Sequence, residues 1–122
     1  LPTYNEVGRG SKRPIRYVRD ERYSAGTKIA QLGGRPENRA IWEDVYSREG
    51  GRYTLTLFYE CSEPRRFSLW VNDVEQKVEV EPTNGAVGRC EVQIRLHRGS
   101  NTISMGNDYD WAPDVDKFVL AK

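Results

Sequence analysis

Histidine, cysteine and methionine are scarce in this chain of 122 residues, which holds one His, two Cys and one Met. With His97 alone there is no second imidazole for a metal pair, and no Cys-x-x-Cys occurs, which argues against a structural zinc site. Gly-x-Ser-x-Gly, a phosphate-binding glycine loop and a His-based triad are missing as well, so the common hydrolase and nucleotide-binding constellations have no representative. Eighteen acidic residues always contain some carboxylate pair at a glycosidase-like separation, so acidic content alone assigns no catalysis. Charge of one sign is also lacking: 19 Lys and Arg face 18 Asp and Glu, a net of +1. That balance disfavours a basic stripe for DNA or RNA, and no nucleic-acid partner is expected. The apolar-rich run Tyr53 to Tyr59 falls far short of the roughly 20 residues of a membrane-crossing helix, so no membrane partner is expected either. No signal-peptide pattern opens the chain; Leu1-Pro2-Thr3 lacks an initiator Met and leads into a basic, polar segment. A mature or excised piece of something larger is the expectation.

Alternation of apolar and polar residues with period two dominates the second half. In Tyr53 to Cys61 the odd positions form an apolar face; Phe67, Leu69 and Val71 repeat the pattern, as do Val78 and Val80. Cys90, Val92, Ile94 and Leu96 follow, then Ile103 and Met105, then Phe118 and Leu120. Turn formers separate the runs: Glu49-Gly50-Gly51, Ser62-Glu63-Pro64, Asn72-Asp73, Pro82-Thr83-Asn84-Gly85, Arg98-Gly99-Ser100 and Pro113-Asp114. Short strands recurring at this spacing predict an all-β sandwich or barrel in one domain, residues 1–122.

In the first half, Ile15 to Val18 and Thr27 to Leu32 read as strands. Between Glu37 and Glu49, Ile41, Trp42, Val45 and Tyr46 fall at helical spacing, but their β-branched and aromatic character predicts a strand. The basic residues among the first 22 (Arg9, Lys12, Arg13, Arg16, Arg19, Arg22) read as a solvated face. Cys61 and Cys90 either pair in a disulfide or remain small buried thiols.

Four phrases carry a resemblance. Gly50-Gly51-Arg52-Tyr53-Thr54-Leu55 with Phe58-Tyr59 resembles the G-x-Y-x-L-x-x-x-Y strand of carbohydrate-binding module families 6 and 35. Arg66 to Asn72 resembles their R-x-L-x-V-N-G strand, with Asp73 where Gly is usual. Leu96 to Ile103 and Ala112 to Phe118 are similar to the ending L-x-x-G-x-N-T-I … P-D-x-D-x-apolar, and Tyr23 to Gly33 to the S-G-G-x-x-V-x-x-L-G segment. Together they span about residues 23–121, and the ending, with Tyr109-Asp110-Trp111 before it, is most similar to modules C-terminal to α-galactosidase-like enzymes. The resemblance implies a jelly-roll β-sandwich of two antiparallel sheets, a carbohydrate partner (a galactoside or plant polysaccharide), a parent catalytic domain, and a secreted, periplasmic or cell-surface location. It also implies a structural calcium ion. The usual opening Y-E-A-E stands here as Tyr4-Asn5-Glu6-Val7, with one glutamate out of frame, so Glu6 and Asp116 are the candidate metal ligands.

Asn107-Asp108-Tyr109-Asp110-Trp111 stands out without any resemblance, because it places two aromatics among polar residues in a short link between strands. An indole plane covers the C–H face of a sugar ring while amides and carboxylates serve its hydroxyl rim. The resembled modules use a tryptophan and an asparagine of this last loop, which map onto Trp111 and Asn107. Asn107, Tyr109 and Trp111 are therefore the candidate ligand-binding residues; the plainer alternative makes Trp111 a lid over the sandwich end. An EF-hand starting at Asp108 fails, since its sixth position is Pro113 and no Glu stands at the twelfth. Trp42 reads as core, and Trp70, out of phase with Phe67, Leu69 and Val71, reads as packed on the opposite face of its strand. Arg35 to Arg39 reads as a solvated loop.

The chain is thus expected to be a non-catalytic carbohydrate-binding module that targets an attached glycoside hydrolase. The alternative is a structural module packed on its parent catalytic domain without binding sugar, signalled by an apolar patch at Trp70 or Trp42.

Overall fold

The computed structural model describes residues 39–107 and 111–122 in full, and the backbone of residues 3–4, 16–19 and 27–30. These form ten strands: β1 (Thr3–Tyr4), β2 (Arg16–Arg19), β3 (Thr27–Ala30), β4 (Ala40–Ser47), β5 (Gly51–Glu60), β6 (Arg65–Val71), β7 (Val74–Val80), β8 (Gly88–Leu96), β9 (Gly99–Gly106) and β10 (Asp114–Ala121). One sheet runs β2-β3-β10-β5-β8, with β1 pairing on β10; the other runs β4-β9-β6-β7. Every pairing is antiparallel. The expected jelly-roll β-sandwich is what the chain adopts.

The period of two explains how the sheets meet. Leu55, Leu57 and Tyr59 of β5 lie beside Val92, Ile94 and Leu96 of β8 and Val115, Phe118 and Leu120 of β10 on one inner face. Val45 of β4, Phe67 and Leu69 of β6, and Ile103 and Met105 of β9 meet them from the other. Trp42 is core, as expected, its ring edge-on to Phe118 with centroids 4.9 Å apart.

Two bulges interrupt the period. In β4 the register shifts between Trp42 and Val45, and Asp44 takes φ 59°, so two residues three apart both face inward. This bulge is what produced the helix-like spacing of Ile41, Trp42, Val45 and Tyr46. In β10 the shift lies between Val115 and Lys117, again sending residues three apart (Val115, Phe118) into the core and carrying Asp116, only 5% exposed, with it.

Buried polar groups tie the turns at one end. Asn101 is 1% exposed; its Nδ2 donates to the carbonyl oxygens of Val45, His97 and Gly99, and its Oδ1 accepts from His97 N and Asn72 Nδ2. A side chain so fully bonded avoids the cost of about 1–3 kcal/mol for each buried polar group left unsatisfied. Ser47, equally buried, accepts from Gly50 N at 2.9 Å and bonds Tyr53 Oη at 2.7 Å. Gly50 is required here: at φ +74° a Cβ would lie 2.8 Å from Arg98 N.

Cys61 and Cys90 are free thiols, so of the two readings the unpaired one holds. They lie on different levels of the sheet, Cys61 past the end of β5 and Cys90 opposite Leu57. Burial pushes the Cys90 thiol from 9.0 up to about 11, and burial also raises Cys61 and Tyr59. Because the fold favours the protonated thiol, this contribution is intact below the unfolded thiol's pKa and is lost as pH rises through the folded value. Unfolding free energy is therefore expected to decline between about pH 9 and pH 11, and to decline less in Cys90→Ala; urea denaturation across that range checks it.

Candidate functional site: a cleft beside Trp111

Three loops meet at the other end of the sandwich, β5–β6, β7–β8 and β9–β10. Between them lies a cleft of about 530 Å³ whose lining includes Pro64, Arg65, Glu79, Glu81, Asn107 and Trp111. That volume is within the ordinary range for small-ligand sites.

Each wall is held by identifiable bonds. Because β6 pairs with β9, with Ser68 opposite Gly106, the start of β6 lies beside the point where the β9–β10 loop departs. Asn107 Nδ2 donates to the Arg66 carbonyl at 2.9 Å, and Arg65 Nη1 donates to the Ala112 carbonyl at 2.9 Å. The loop carrying Trp111 is thus fastened at both ends by one strand. Ala112 and Pro113 are buried behind it, while Trp111 is 48% exposed. On the far wall the Glu81 carbonyl accepts from Tyr59 Oη at 3.1 Å and Cys61 Sγ at 3.5 Å, and Thr83 bonds the backbone of Cys61 in both directions.

The acidic groups nearest the arginines are paired. Arg66 Nε lies 3.0 Å from Glu79 Oε1, an exposed pair, and Arg65 Nη2 lies 3.9 Å from Glu63 Oε1. The cleft therefore offers an accessible indole, an amide, two arginine–glutamate pairs and the Glu81 carboxylate, an arrangement suited to a polyhydroxylated ring.

Asn107 and Trp111, both expected from the sequence, are brought together in this cleft. One N–H of Asn107 is committed to the loop. Tyr109 and Glu6 lie outside the described residues. Asp116 is not in the cleft; it sits buried at the β10 bulge. Among the described residues no group of three or more His, Cys, Asp or Glu is arranged to hold a metal ion. Sequence reasoning missed Arg65, Glu79 and Glu81, because the turn at Ser62-Glu63-Pro64 marks the start of β6 without revealing that β6 lies beside β9. Trp70 is half-buried with the Arg39 guanidinium 3.6 Å above its ring centre, so it is covered, not a binding plate.

No protein-family model matches the chain, and no curated protein matches it by sequence. Solved structures do match. A family 35 carbohydrate-binding module from Clostridium thermocellum superposes with a TM-score of 0.91 at 22% identity, covering 100% of this chain and 99% of that one. A family 35 module from Paenibacillus barcinonensis gives 0.84 at 14% identity, again over 100% and 99%. An exo-β-1,3-galactanase from Phanerochaete chrysosporium, solved with galactose, gives 0.87 at 23% identity over 98% of this chain but 29% of its own. The fold is that of family 35 carbohydrate-binding modules, matched over the whole length of stand-alone modules and over less than a third of the enzyme.

Arg65→Met is expected to release the Ala112 carbonyl, lowering stability by about 1–2 kcal/mol and speeding amide hydrogen exchange at Trp111, Ala112 and Asp114. Arg66→Ala, at an exposed ion pair, is expected to change stability by less than about 0.5 kcal/mol. Urea denaturation and exchange measurements on the two variants check the contrast.

Proposed function

We propose that this chain is a non-catalytic carbohydrate-binding module, that it binds sugar in the Trp111 cleft, and that it targets an attached glycoside hydrolase to polysaccharide. The observation that carries this reading is the half-exposed indole of Trp111, fixed on a strapped loop and bordered by Asn107 and paired charges. The matches support it: those covered end to end are binding modules, and in the galactanase the same fold is a minor part of an enzyme's chain. An α-galactosidase-like parent and a galactoside ligand follow from the sequence resemblance, and the galactose in the matched galactanase structure agrees with that ligand class. A secreted or cell-surface location goes with a polysaccharide partner.

The energetics set the mode of action. A tryptophan covering one sugar face removes roughly 100 Å² of apolar area, worth about 2.5 kcal/mol at ~25 cal/mol/Å². Association costs about 4 kcal/mol or more in lost freedom, so hydrogen bonds at the rim must supply the difference. Binding in the range of about millimolar to high micromolar is expected. Attachment to an enzyme makes such affinity sufficient, since tethering raises the local concentration at the polymer.

A structural calcium ion held by Glu6 and Asp116 belongs to the same proposal. Asp116 sits buried at the β10 bulge, and β1 pairs on that same strand, with Tyr4 opposite Phe118. Backbone carbonyls and water would complete the six to eight oxygens that calcium requires.

A second reading, docking of the module on its parent catalytic domain without sugar, has one observation in its favour. Val71, Val74, Ile94 and Leu96 line an apolar groove of about 670 Å³ between edge strands β7 and β8, and Val74 is 70% exposed. The expected patch at Trp42 or Trp70 is not formed, since the first is core and the second is covered.

Trp111→Ala is expected to weaken binding of galacto-oligosaccharides at least tenfold with the fold unchanged; calorimetry and circular dichroism check it, and undiminished binding excludes this cleft. Chelation is expected to lower the midpoint of thermal unfolding of the wild-type chain by several degrees, with calcium restoring it and Asp116→Ala unresponsive.

A further inference from the structure

Among the described residues two aromatic side chains are prominently exposed, Trp111 and Tyr46, the latter at 66%. They occupy opposite ends of the sandwich. Tyr46 lies near the end of β4 opposite Ser100, next to the β4–β5 and β8–β9 turns, whereas Trp111 lies with the loops at the far end of β5. The ten residues of β5 separate the two ends by about 30 Å at ~3.3 Å per residue.

Tyr46, Arg48, Glu49 and Arg98 form a shallow recess of about 440 Å³. Arg48 and Arg98 are exposed, and neither has an ion-pair partner among the described residues. Neighbouring carboxylates are engaged elsewhere: Glu49 with Lys122 Nζ at 3.4 Å, and Asp44 with the Ser100 hydroxyl at 2.9 Å. The recess thus carries two guanidinium groups outside the ion pairs, beside a Glu49 carboxylate that Lys122 pairs. Its scaffold is rigid. Asn101 and Ser47, each 1% exposed, pin the two turns that present Arg98 and Arg48, and Gly50 lets those turns touch. Guanidinium groups carried on pinned turns meet a carboxylate or sulfate through charge-assisted hydrogen bonds, and an exposed phenol ring covers a sugar's C–H face.

We propose that this recess is a second ligand site, specific for an acidic saccharide whose ring lies on Tyr46 and whose carboxylate or sulfate pairs with Arg48 and Arg98. The lining holds no aliphatic side chain, as an acidic peptide's apolar residues would need. Two arginines do not make the basic stripe of a nucleic-acid surface. The site is independent of the Trp111 cleft and stands or falls apart from it.

Backbone amide NMR titrations of the whole 122-residue chain test it, with methyl glucuronide and galactose 6-sulfate as acidic probes and methyl galactoside as the neutral one. The acidic sugars are expected to shift the amides of Tyr46, Arg48 and Arg98 at millimolar concentration, with affinity falling as salt rises. Binding at these amides is expected to drop at least tenfold in Tyr46→Ala and in Arg48→Ala/Arg98→Ala, and to persist in Trp111→Ala. One acidic sugar binding without the other supports the site and names the anion. No shifts at these amides overturn it. Equal shifts with inorganic sulfate alone, with the neutral galactoside, with an acidic peptide or with a short oligonucleotide overturn it too. All substituted side chains are exposed, and each variant's own amide spectrum reports its fold.

Discussion

A dry layer between two sheets, filled from each side by every second residue, constrains everything else in this molecule. Leu55, Leu57, Leu69, Ile103, Phe118 and Met105 meet there with no exposed surface. Interiors of this kind are packed like crystals, so a strand that fell out of phase would put polar groups into the layer. The two bulges are the chain's answer at the places where its apolar residues fall three apart: each absorbs one residue and restores the phase. Since the strands serve the layer, the side chains left free for other work are those of the loops and turns at the two ends.

Much of this was legible in the sequence. Tyr53 to Cys61, Cys90 to Leu96 and the runs between them alternate cleanly, and the glycine, proline and asparagine clusters fall where the chain turns. Asn72 and Asp73, with φ of 49° and 68°, form the tight hairpin their residue types suggest, although Asp stands where glycine is easier. Trp111 was legible because a large aromatic in a short polar link has no strand face to occupy. Its surroundings were not. Arg65 and Ala112 are 47 residues apart, and only the order β4-β9-β6-β7 makes them neighbours. Local pattern does not encode which strand lies beside which. The same limit hid the role of Asn101, whose partners come from β4, the β8–β9 turn and the β6–β7 turn.

The two ends are built differently for a shared reason. At the Trp111 end, the Arg65 side chain reaches back to a backbone carbonyl and salt bridges compensate the charge of Arg65 and Arg66, which leaves neither guanidinium free of a partner there. At the Tyr46 end, the structural bonds are made by neutral Asn101 and Ser47, which leaves the guanidinium groups of Arg48 and Arg98 unspent. Which groups stabilise the turns therefore decides which remain to meet a ligand.

The bulge at Asp44 has a consequence for life at high density. Among the described residues strand β4 is an outer edge of its sheet, and an edge of this kind would otherwise invite a strand from a neighbouring molecule. Left-handed Asp44, beside exposed Glu43, breaks the regular ladder and places negative charge along it. At the opposite edge, β7 displays Glu75, Lys77 and Glu79 to solvent. Copies of this chain at high concentration would meet through edges that do not zip together, so crowding would not turn into aggregation.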